Sequence, residues 1–148
     1  ALHREDVEML LNNVDALVVV DEAYINYSRS KSFVADLNDY PNLVVLQTFS
    51  KAWGLAGLRL GATLASPPII QVLNSIKPPY NINEVTQQLA LQAMNRLEEV
   101  NTMIRETIEE RVSLQSQLAA ISFVQTIFPS DANFLLVRIT DATGMSNQ

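Results

Sequence analysis

Two hydroxyls and two cations lie in a short segment that begins as an apolar strand. The segment LVVLQTFSKAWGLAGLRLGA spans residues 43–62 and contains Thr48, Ser50, Lys51 and Arg59. Burial and a neighbouring cation both favour the neutral form of a lysine amine, and a neutral amine attacks carbonyl groups. Guanidinium and hydroxyl groups bind phosphate. The segment therefore predicts a phosphate-binding loop with a nucleophilic amine at Lys51.

A carboxylate follows the preceding apolar run. Residues 16–20 are continuously apolar, which is typical of a parallel strand buried on both faces, and Asp21 comes next, at the strand end where α/β proteins bind ligands. Other interpretations remain open. Asp21 could be the metal-holding acid of a P-loop ATPase, although no glycine here has the required G-x-x-x-x-G-K-[ST] spacing. It could simply cap a turn, with Lys51 an exposed cation and Arg59 a surface partner of Asp21 or Glu22.

Taken together, the two strand ends meet the needs of a pyridoxal phosphate enzyme. Such an enzyme requires an amine that captures the aldehyde, a cradle for the phosphate, and a carboxylate that keeps the pyridine nitrogen protonated. Lys51 would supply the amine and Asp21 the carboxylate, while Tyr24 could donate to the phenolic oxygen of the ring. The full candidate set is Asp21, Tyr24, Thr48, Ser50, Lys51 and Arg59.

The surrounding pattern predicts an α/β fold that positions these residues. Helices are expected over residues 3–12, 31–37, 67–76 and 84–120, and strands over 16–20, 43–49, 60–65, 122–128 and 133–139. The longest helical stretch predicts either two helices meeting near Asn95 or one helix that bridges two domains. The sequence begins as if midway through a longer chain and stops after a strand without a closing element, so we expect it to be a fragment.

Composition narrows the function classes. The 148 residues are 48% hydrophobic with a formal net charge of −6, which disfavours a nucleic-acid surface. The chain has no cysteine and a single histidine, so neither a thiolate or histidine metal site nor a Ser-His-Asp triad is expected. Apolar runs are only strand-sized, so we expect no membrane span. The lack of cysteine fits a cytoplasmic protein.

Three segments resemble one enzyme family. VVVDEAYINYS, LVVLQTFSKAWGLAGLRLGA and IKPPYNINEVTQQLALQA are similar to the histidinol-phosphate aminotransferases, which are fold-type I pyridoxal phosphate aminotransferases, and the similarity continues through PSDANFLLVRI. The resemblance implies the later half of the large parallel-sheet domain in residues 1–89. It implies the interdomain helix and first strands of an incomplete small α+β domain in residues 90–148. Threonine-phosphate decarboxylase shares much of the pattern.

The resemblance also implies residue roles. Lys51 matches the lysine that bonds to the cofactor and later shuttles a proton, and Arg59 matches the arginine on the cofactor phosphate. Asp21 matches the aspartate at the pyridine nitrogen, and Tyr24 the tyrosine at the ring hydroxyl. Ser50, with Thr48, corresponds to hydroxyls near the phosphate.

The implied reaction is amino-group transfer between histidinol phosphate and 2-oxoglutarate, by a homodimer acting on small molecules. Another pyridoxal phosphate enzyme, such as a different aminotransferase or the decarboxylase, is the first alternative, and a phosphate-binding or P-loop ATPase fragment is the second. The family's phosphate loop, ring-stacking aromatic residue and asparagine motif are expected before Ala1, and its substrate-carboxylate arginine after Gln148. Arg138 is not that arginine. We therefore expect residues 1–148 alone to be inactive.

Overall fold

The computed structural model describes residues 2–140, which contain four α-helices and two small sheets. The α-helices are α1 Arg4–Asn13, α2 Pro67–Ile76, α3 Glu84–Met94 and α4 Leu97–Ala119, and the strands are β1 Val18–Asp21, β2 Leu43–Thr48, β3 Gly61–Ala65, β4 Val124–Ile127 and β5 Val137–Ile139. Short 3₁₀ turns lie at Ile25–Tyr27, Phe33–Asp36 and Ala56–Leu58. The last eight residues, which the predicted second domain includes, lie outside the described part of the chain.

The first sheet has the order β1-β2-β3. Strands β1 and β2 are parallel, with Asp21 opposite Leu46, whereas β3 runs antiparallel to β2 and pairs Gly61 with Thr48. The carboxyl ends of β1 and β2 and the amino end of β3 therefore meet at one edge. This edge carries every charged residue predicted to bind the ligand.

One face of this sheet forms the hydrophobic core. Leu43 and Val45 of β2 have no exposed surface and pack with Val7 and Leu11 of α1 and with Phe33. Side chains alternate between faces along a strand, so Gln47 lies on the same face as Leu43 and Val45.

The opposite face of β1 is open among the described residues. Val19 is 55% exposed and Leu17 is 57% exposed, so the prediction that residues 16–20 are buried on both faces is wrong for residues 2–140. The physical reason is that α1 covers only the face of Val18 and Val20. Burial on both sides would need a second covering layer.

The long helical stretch is divided, in agreement with the two-helix interpretation. α3 ends at Met94, and Arg96, with φ −109° and ψ 35°, leaves the helical conformation before α4 begins. Asn83 caps the start of α3 by accepting the N–H of Thr86 at 2.8 Å. The domain boundary predicted after residue 89 falls inside α3 and stays a prediction.

The second sheet is a small antiparallel pair, β4 and β5, with an irregular register between Val124 and Thr126. It packs against α4, and Arg111 of that helix donates to the carbonyl of Ala132 at 2.5 Å in the connection between the two strands. This bond fixes the connection that carries Phe134. None of the helices within residues 2–140 combines the length and apolar character needed to cross a membrane.

Candidate active site

A hollow of about 390 Å³ lies at the edge where the three strands of the first sheet meet. We call it the strand-edge hollow; its lining residues are Asp21, Ala23, Leu46, Gln47, Thr48, Ser50, Lys51, Arg59, Leu60 and Gly61. Sites for small ligands commonly enclose about 300–1,000 Å³. Five of the six residues predicted from sequence line this one hollow.

Asp21 reaches the hollow because of its position in β1. It lies on the face of the sheet opposite the core, and its side chain is exposed. Its Oδ1 accepts the N–H of Ala23 at 2.9 Å, which is a turn in which an aspartate bonds to the backbone two residues on. The second carboxylate oxygen, Oδ2, makes no hydrogen bond within residues 2–140, so it can meet a ligand.

The loop after β2 is held by its own backbone. Thr48 Oγ1 accepts the N–H of Ser50 at 3.1 Å, and the N–H of Phe49 donates to Leu60 at 3.2 Å. Gly54 has φ +68° and donates to the carbonyl of Lys51 at 3.0 Å, which closes a tight turn directly after the lysine. A left-handed backbone favours glycine, and this turn accounts for Gly54.

Lys51 differs from the sequence expectation in one respect. Its side chain is exposed in the described chain, not buried, so the burial assumed in the sequence argument is absent here. Its Nζ lies 5.3 Å from the centre of the Tyr24 ring. The described residues offer Nζ no carboxylate within ion-pairing distance. The amine is therefore accessible on the side of the hollow next to Tyr24.

Arg59 has a strained backbone. Its φ of 51° is left-handed, which costs a residue with a side chain roughly 1–2 kcal/mol. Its Nη1 donates to the carbonyl of Ala56 at 3.0 Å. The alternative interpretation of Arg59 as a surface cation required an ion pair with Asp21 or Glu22, and no such pair occurs within residues 2–140. Backbone strain of this kind is concentrated at functional sites, in keeping with a guanidinium aimed at an anion.

Tyr24 is the one predicted residue that does not line the strand-edge hollow. It lines a neighbouring cavity of about 370 Å³, and its ring makes an edge-on contact with Phe134, with the ring centres 5.4 Å apart. The Tyr24 ring thus lies between Lys51 and the β4–β5 connection. It borders the hollow through its contact with the Lys51 ammonium.

A buried phenol, that of Tyr27, lies close enough to Tyr24 and Lys51 to be affected by their charges. Tyr27 is 5% exposed, and burial raises its pKa above the ordinary value of 10.0. Tyr24 adds to the rise in pKa, and the positive charge of Lys51 opposes it. Tyr27 therefore stays neutral where its exposed counterparts would begin to ionise.

The charges of the hollow suit a phosphorylated ring compound with an aldehyde and a basic ring nitrogen. Arg59, with the Ser50 and Thr48 hydroxyls, forms a region of hydrogen-bond donors for a phosphate. Lys51 brings a primary amine, and Asp21 a carboxylate that can accept from a protonated ring nitrogen. The donor set therefore fits pyridoxal phosphate.

The pattern of the family described as aminotransferase class I and II matches residues 1–147. The chain belongs to this family. Among curated relatives, it is 47% identical over 144 residues to a histidinol-phosphate aminotransferase of Flavobacterium johnsoniae and 47% identical over 147 residues to one of Parabacteroides distasonis. These alignments cover 97% and 99% of this chain but 41% and 43% of the relatives. The chain thus spans about two fifths of the length of these aminotransferases.

Solved structures agree with this assignment. The chain matches a histidinol-phosphate aminotransferase from Sinorhizobium meliloti, in complex with pyridoxal-5'-phosphate, with a TM-score of 0.78 and 27% identity over 91% of this chain and 38% of that one. It matches an L-threonine-O-3-phosphate decarboxylase from Porphyromonas gingivalis with a TM-score of 0.82 and 26% identity over 96% and 44%. The α/β fold is therefore part of the fold-type I aminotransferase architecture. The P-loop ATPase interpretation is not favoured.

Sequence reasoning missed two residues next to the hollow. Glu22 is buried on the core face of the sheet, and Gln47, which also lines the hollow, donates to it with a hydrogen bond of 3.0 Å from Nε2 to Glu22 Oε2. An acidic residue directly after Asp21 was a signal, because strand alternation sends consecutive side chains to opposite faces. Whether Glu22 would be buried or exposed depends on tertiary packing, which the local pattern does not report.

Proposed function

We propose that the full-length protein, meaning a chain of its relatives' length that contains these residues, is a pyridoxal phosphate-dependent aminotransferase. It would transfer an amino group between histidinol phosphate and 2-oxoglutarate. The observation that carries this proposal is the single hollow shared by Asp21 and Lys51. The 47% identity to relatives named histidinol-phosphate aminotransferase supports the choice of substrate.

Each of the five predicted residues that line the hollow has a task in this proposal. Bound pyridoxal phosphate supplies an electron sink that stabilises negative charge on the substrate's α-carbon. Arg59, Ser50 and Thr48 bind and orient the phosphate. Asp21 keeps a proton on the ring nitrogen, and Lys51 Nζ first holds the cofactor and then moves the proton at the α-carbon.

Tyr24 would act from the neighbouring side. Its phenol would donate to the ring hydroxyl of the cofactor, while its ring face lies against the Lys51 ammonium. A cation near an aromatic face is favoured by roughly 0.5–1 kcal/mol at an exposed site. This contact would hold Nζ next to the hollow before the cofactor arrives.

We also propose that the full-length protein is a cytoplasmic homodimer built of two domains. Apolar residues around the joint between α2 and α3 support an interface here, since Val72, Ile76 and Tyr80 are 61%, 73% and 94% exposed. The separation of the two sheets, with α3 and α4 between them in sequence, supports the division into residues 1–89 and 90–148. Residues 1–148 alone would lack activity because they span two fifths of the relatives' length.

The test begins with covalent labelling of the full-length protein. Borohydride reduction in the presence of pyridoxal phosphate should attach the cofactor to Lys51, located by peptide mass spectrometry. Lys51→Ala should lose both the label and transamination, whereas Lys77→Ala, which removes an exposed lysine outside the hollow, should keep the label. A label on another lysine, or turnover by Lys51→Ala, would contradict the proposal.

The substrate is tested separately. Purified full-length protein is supplied with histidinol phosphate and 2-oxoglutarate, and glutamate formation is measured. A parallel sample receives threonine phosphate, and carbon dioxide release is measured. Glutamate without carbon dioxide is the expected result. Carbon dioxide release instead would assign the chain to the decarboxylase branch.

A further inference from the structure

The carboxyl group of Glu22 is buried on the core face of the sheet, and the proposed chemistry does not use it. Glu22 is 6% exposed, although it directly follows Asp21, which is exposed. No cation forms an ion pair with Glu22 in the stretch from residue 2 to residue 140. A buried carboxylate without a cation is costly unless several donors bind it.

Three donors satisfy this carboxylate. Ser32 Oγ donates to Oε2 at 2.6 Å, the backbone N–H of Phe33 donates to Oε1 at 2.7 Å, and Gln47 Nε2 donates to Oε2 at 3.0 Å. The donors come from two places in the chain. Ser32 and Phe33 begin the second 3₁₀ turn, and Gln47 belongs to β2 and directly precedes Thr48.

These hydrogen bonds join the two ends of a loop. Residues 22–33, which we call the Tyr24 loop, contain only one short 3₁₀ turn, Ile25–Tyr27, between their ends. At the start of the loop, the N–H of Glu22 donates to the carbonyl of Leu46 at 2.8 Å. At its end, the Glu22 side chain holds Ser32 and Phe33. One residue therefore joins both ends of the loop to β2.

We propose that Glu22 is a positioning residue for the active site. Its carboxylate holds the Tyr24 loop against the end of β2, so that Tyr24 lies beside Lys51 while Asp21 faces the strand-edge hollow from the opposite face of β1. The inference rests on the proposed function for its link to the cofactor. Its structural part, the tethering of the loop, stands on the three hydrogen bonds alone.

The experiment compares three variants of the full-length protein with the wild type. Glu22→Ala removes the acceptor. Glu22→Gln keeps one carbonyl oxygen that accepts the N–H of Phe33. Its amide NH₂ can donate to Ser32 Oγ and to Gln47 Oε1 if the Ser32 hydroxyl and the Gln47 amide rotate. Glu109→Ala removes an exposed carboxylate of α4 and is the control for the lost charge.

The first readout needs no cofactor. Backbone amide exchange in residues 23–32 should be faster in Glu22→Ala by about tenfold or more, the effect of losing bonds to a charged acceptor. Exchange in Glu22→Gln should be slower than in Glu22→Ala, since the glutamine amide can still form hydrogen bonds at this place. Unchanged exchange in Glu22→Ala would overturn the proposal.

The second readout tests positioning. Glu22→Ala should weaken pyridoxal phosphate binding by about tenfold or more, and it should shift the pH midpoint of the cofactor's visible absorbance, with Glu22→Gln restoring both. A lower melting temperature with unchanged cofactor affinity and midpoint would reduce Glu22 to a structural role and refute the proposal. If Glu22→Ala does not fold, Ser32→Ala, which removes one donor, must show the same changes in smaller size.

The two readouts separate two kinds of failure. A wild-type protein that binds no pyridoxal phosphate would refute the proposed function, and the exchange data would then decide the tethering by Glu22. A wild type that binds the cofactor, with a Glu22→Ala variant that binds it equally well, would refute only the positioning role.

Discussion

The role of Arg59 gives the sharpest quantitative prediction. Its Nη1 donates to the carbonyl of Ala56, and the remaining N–H groups of the guanidinium make no hydrogen bond within the described residues 2–140. They are therefore available to a phosphate in the strand-edge hollow. Arg59→Ala removes them together with the charge.

The expected loss follows from the energy of a charge-assisted hydrogen bond. Such a bond contributes about 1.5–3 kcal/mol, and about 1.4 kcal/mol corresponds to a factor of ten. Arg59→Ala should therefore weaken pyridoxal phosphate binding by roughly 10-fold to 140-fold. Arg59→Lys should fall between the alanine variant and the wild type, because lysine keeps the charge but lacks the planar fork that binds two phosphate oxygens.

Arg59→Gly separates the side chain from its strained backbone. Glycine adopts the φ of 51° without strain. Arg59→Gly should therefore bind pyridoxal phosphate as weakly as Arg59→Ala, but its free energy of unfolding should be about 1 kcal/mol higher than that of Arg59→Ala. Arg105→Ala, which removes an exposed arginine of α4, should leave the affinity unchanged. The assay titrates full-length protein with pyridoxal phosphate and follows its visible absorbance. Equal affinity in Arg59→Ala and the wild type would refute the phosphate cradle.

Three further predictions concern the surroundings of the hollow. Asp21→Asn can still accept the N–H of Ala23 but loses the negative charge. Turnover should therefore fall by about 100-fold or more, with little change in melting temperature. An equally large fall in Asp15→Asn, which changes an exposed aspartate elsewhere, would contradict a specific role of Asp21. Burial raises the pKa of Tyr27 above the ordinary value of 10.0, so its contribution to stability is complete below pH 10 and is lost as the pH rises through the raised pKa of the folded protein. Tyr27→Phe should therefore reduce the fall in melting temperature that is measured between pH 9 and pH 11. Tyr80→Phe, the control, should leave that fall unchanged. Phe134→Ala should lower the free energy of unfolding in urea by about 0.5–1.5 kcal/mol, because the edge-on contact with Tyr24 is lost, and an unchanged midpoint would show that the contact contributes nothing.

Local signals in the sequence predicted most of the framework. The strands predicted over residues 16–20 and 43–49 occur as Val18–Asp21 and Leu43–Thr48, and the helix predicted over 67–76 has those bounds in the structure. A strand end is readable because the change from apolar to polar residues is abrupt. The same change predicted which residues meet at the sheet edge, since parallel strands bring their carboxyl ends together.

Features that depend on distant residues were not predicted. The antiparallel direction of β3 depends on the path of residues 49–60, which connect β2 to β3, and the exposure of Lys51 depends on which layers cover that loop. The burial of Glu22 requires Ser32 and Gln47, which are 10 and 25 residues away in the sequence. No periodicity within a short window contains such partners.

The register of β1 determines the positions of both Glu22 and Asp21. Asp21 and Glu22 are consecutive, so the pleat of the strand sends one carboxylate to the strand-edge hollow and the other to the core face. Pairing of Val20 with Val45 fixes which carboxylate goes to which face. A slip of one residue would exchange them, burying Asp21 among donors arranged for the longer side chain and exposing Glu22 to the hollow. The core contacts of Val18 and Val20 oppose that slip, and the hydrophobic core thereby determines which acid faces the hollow.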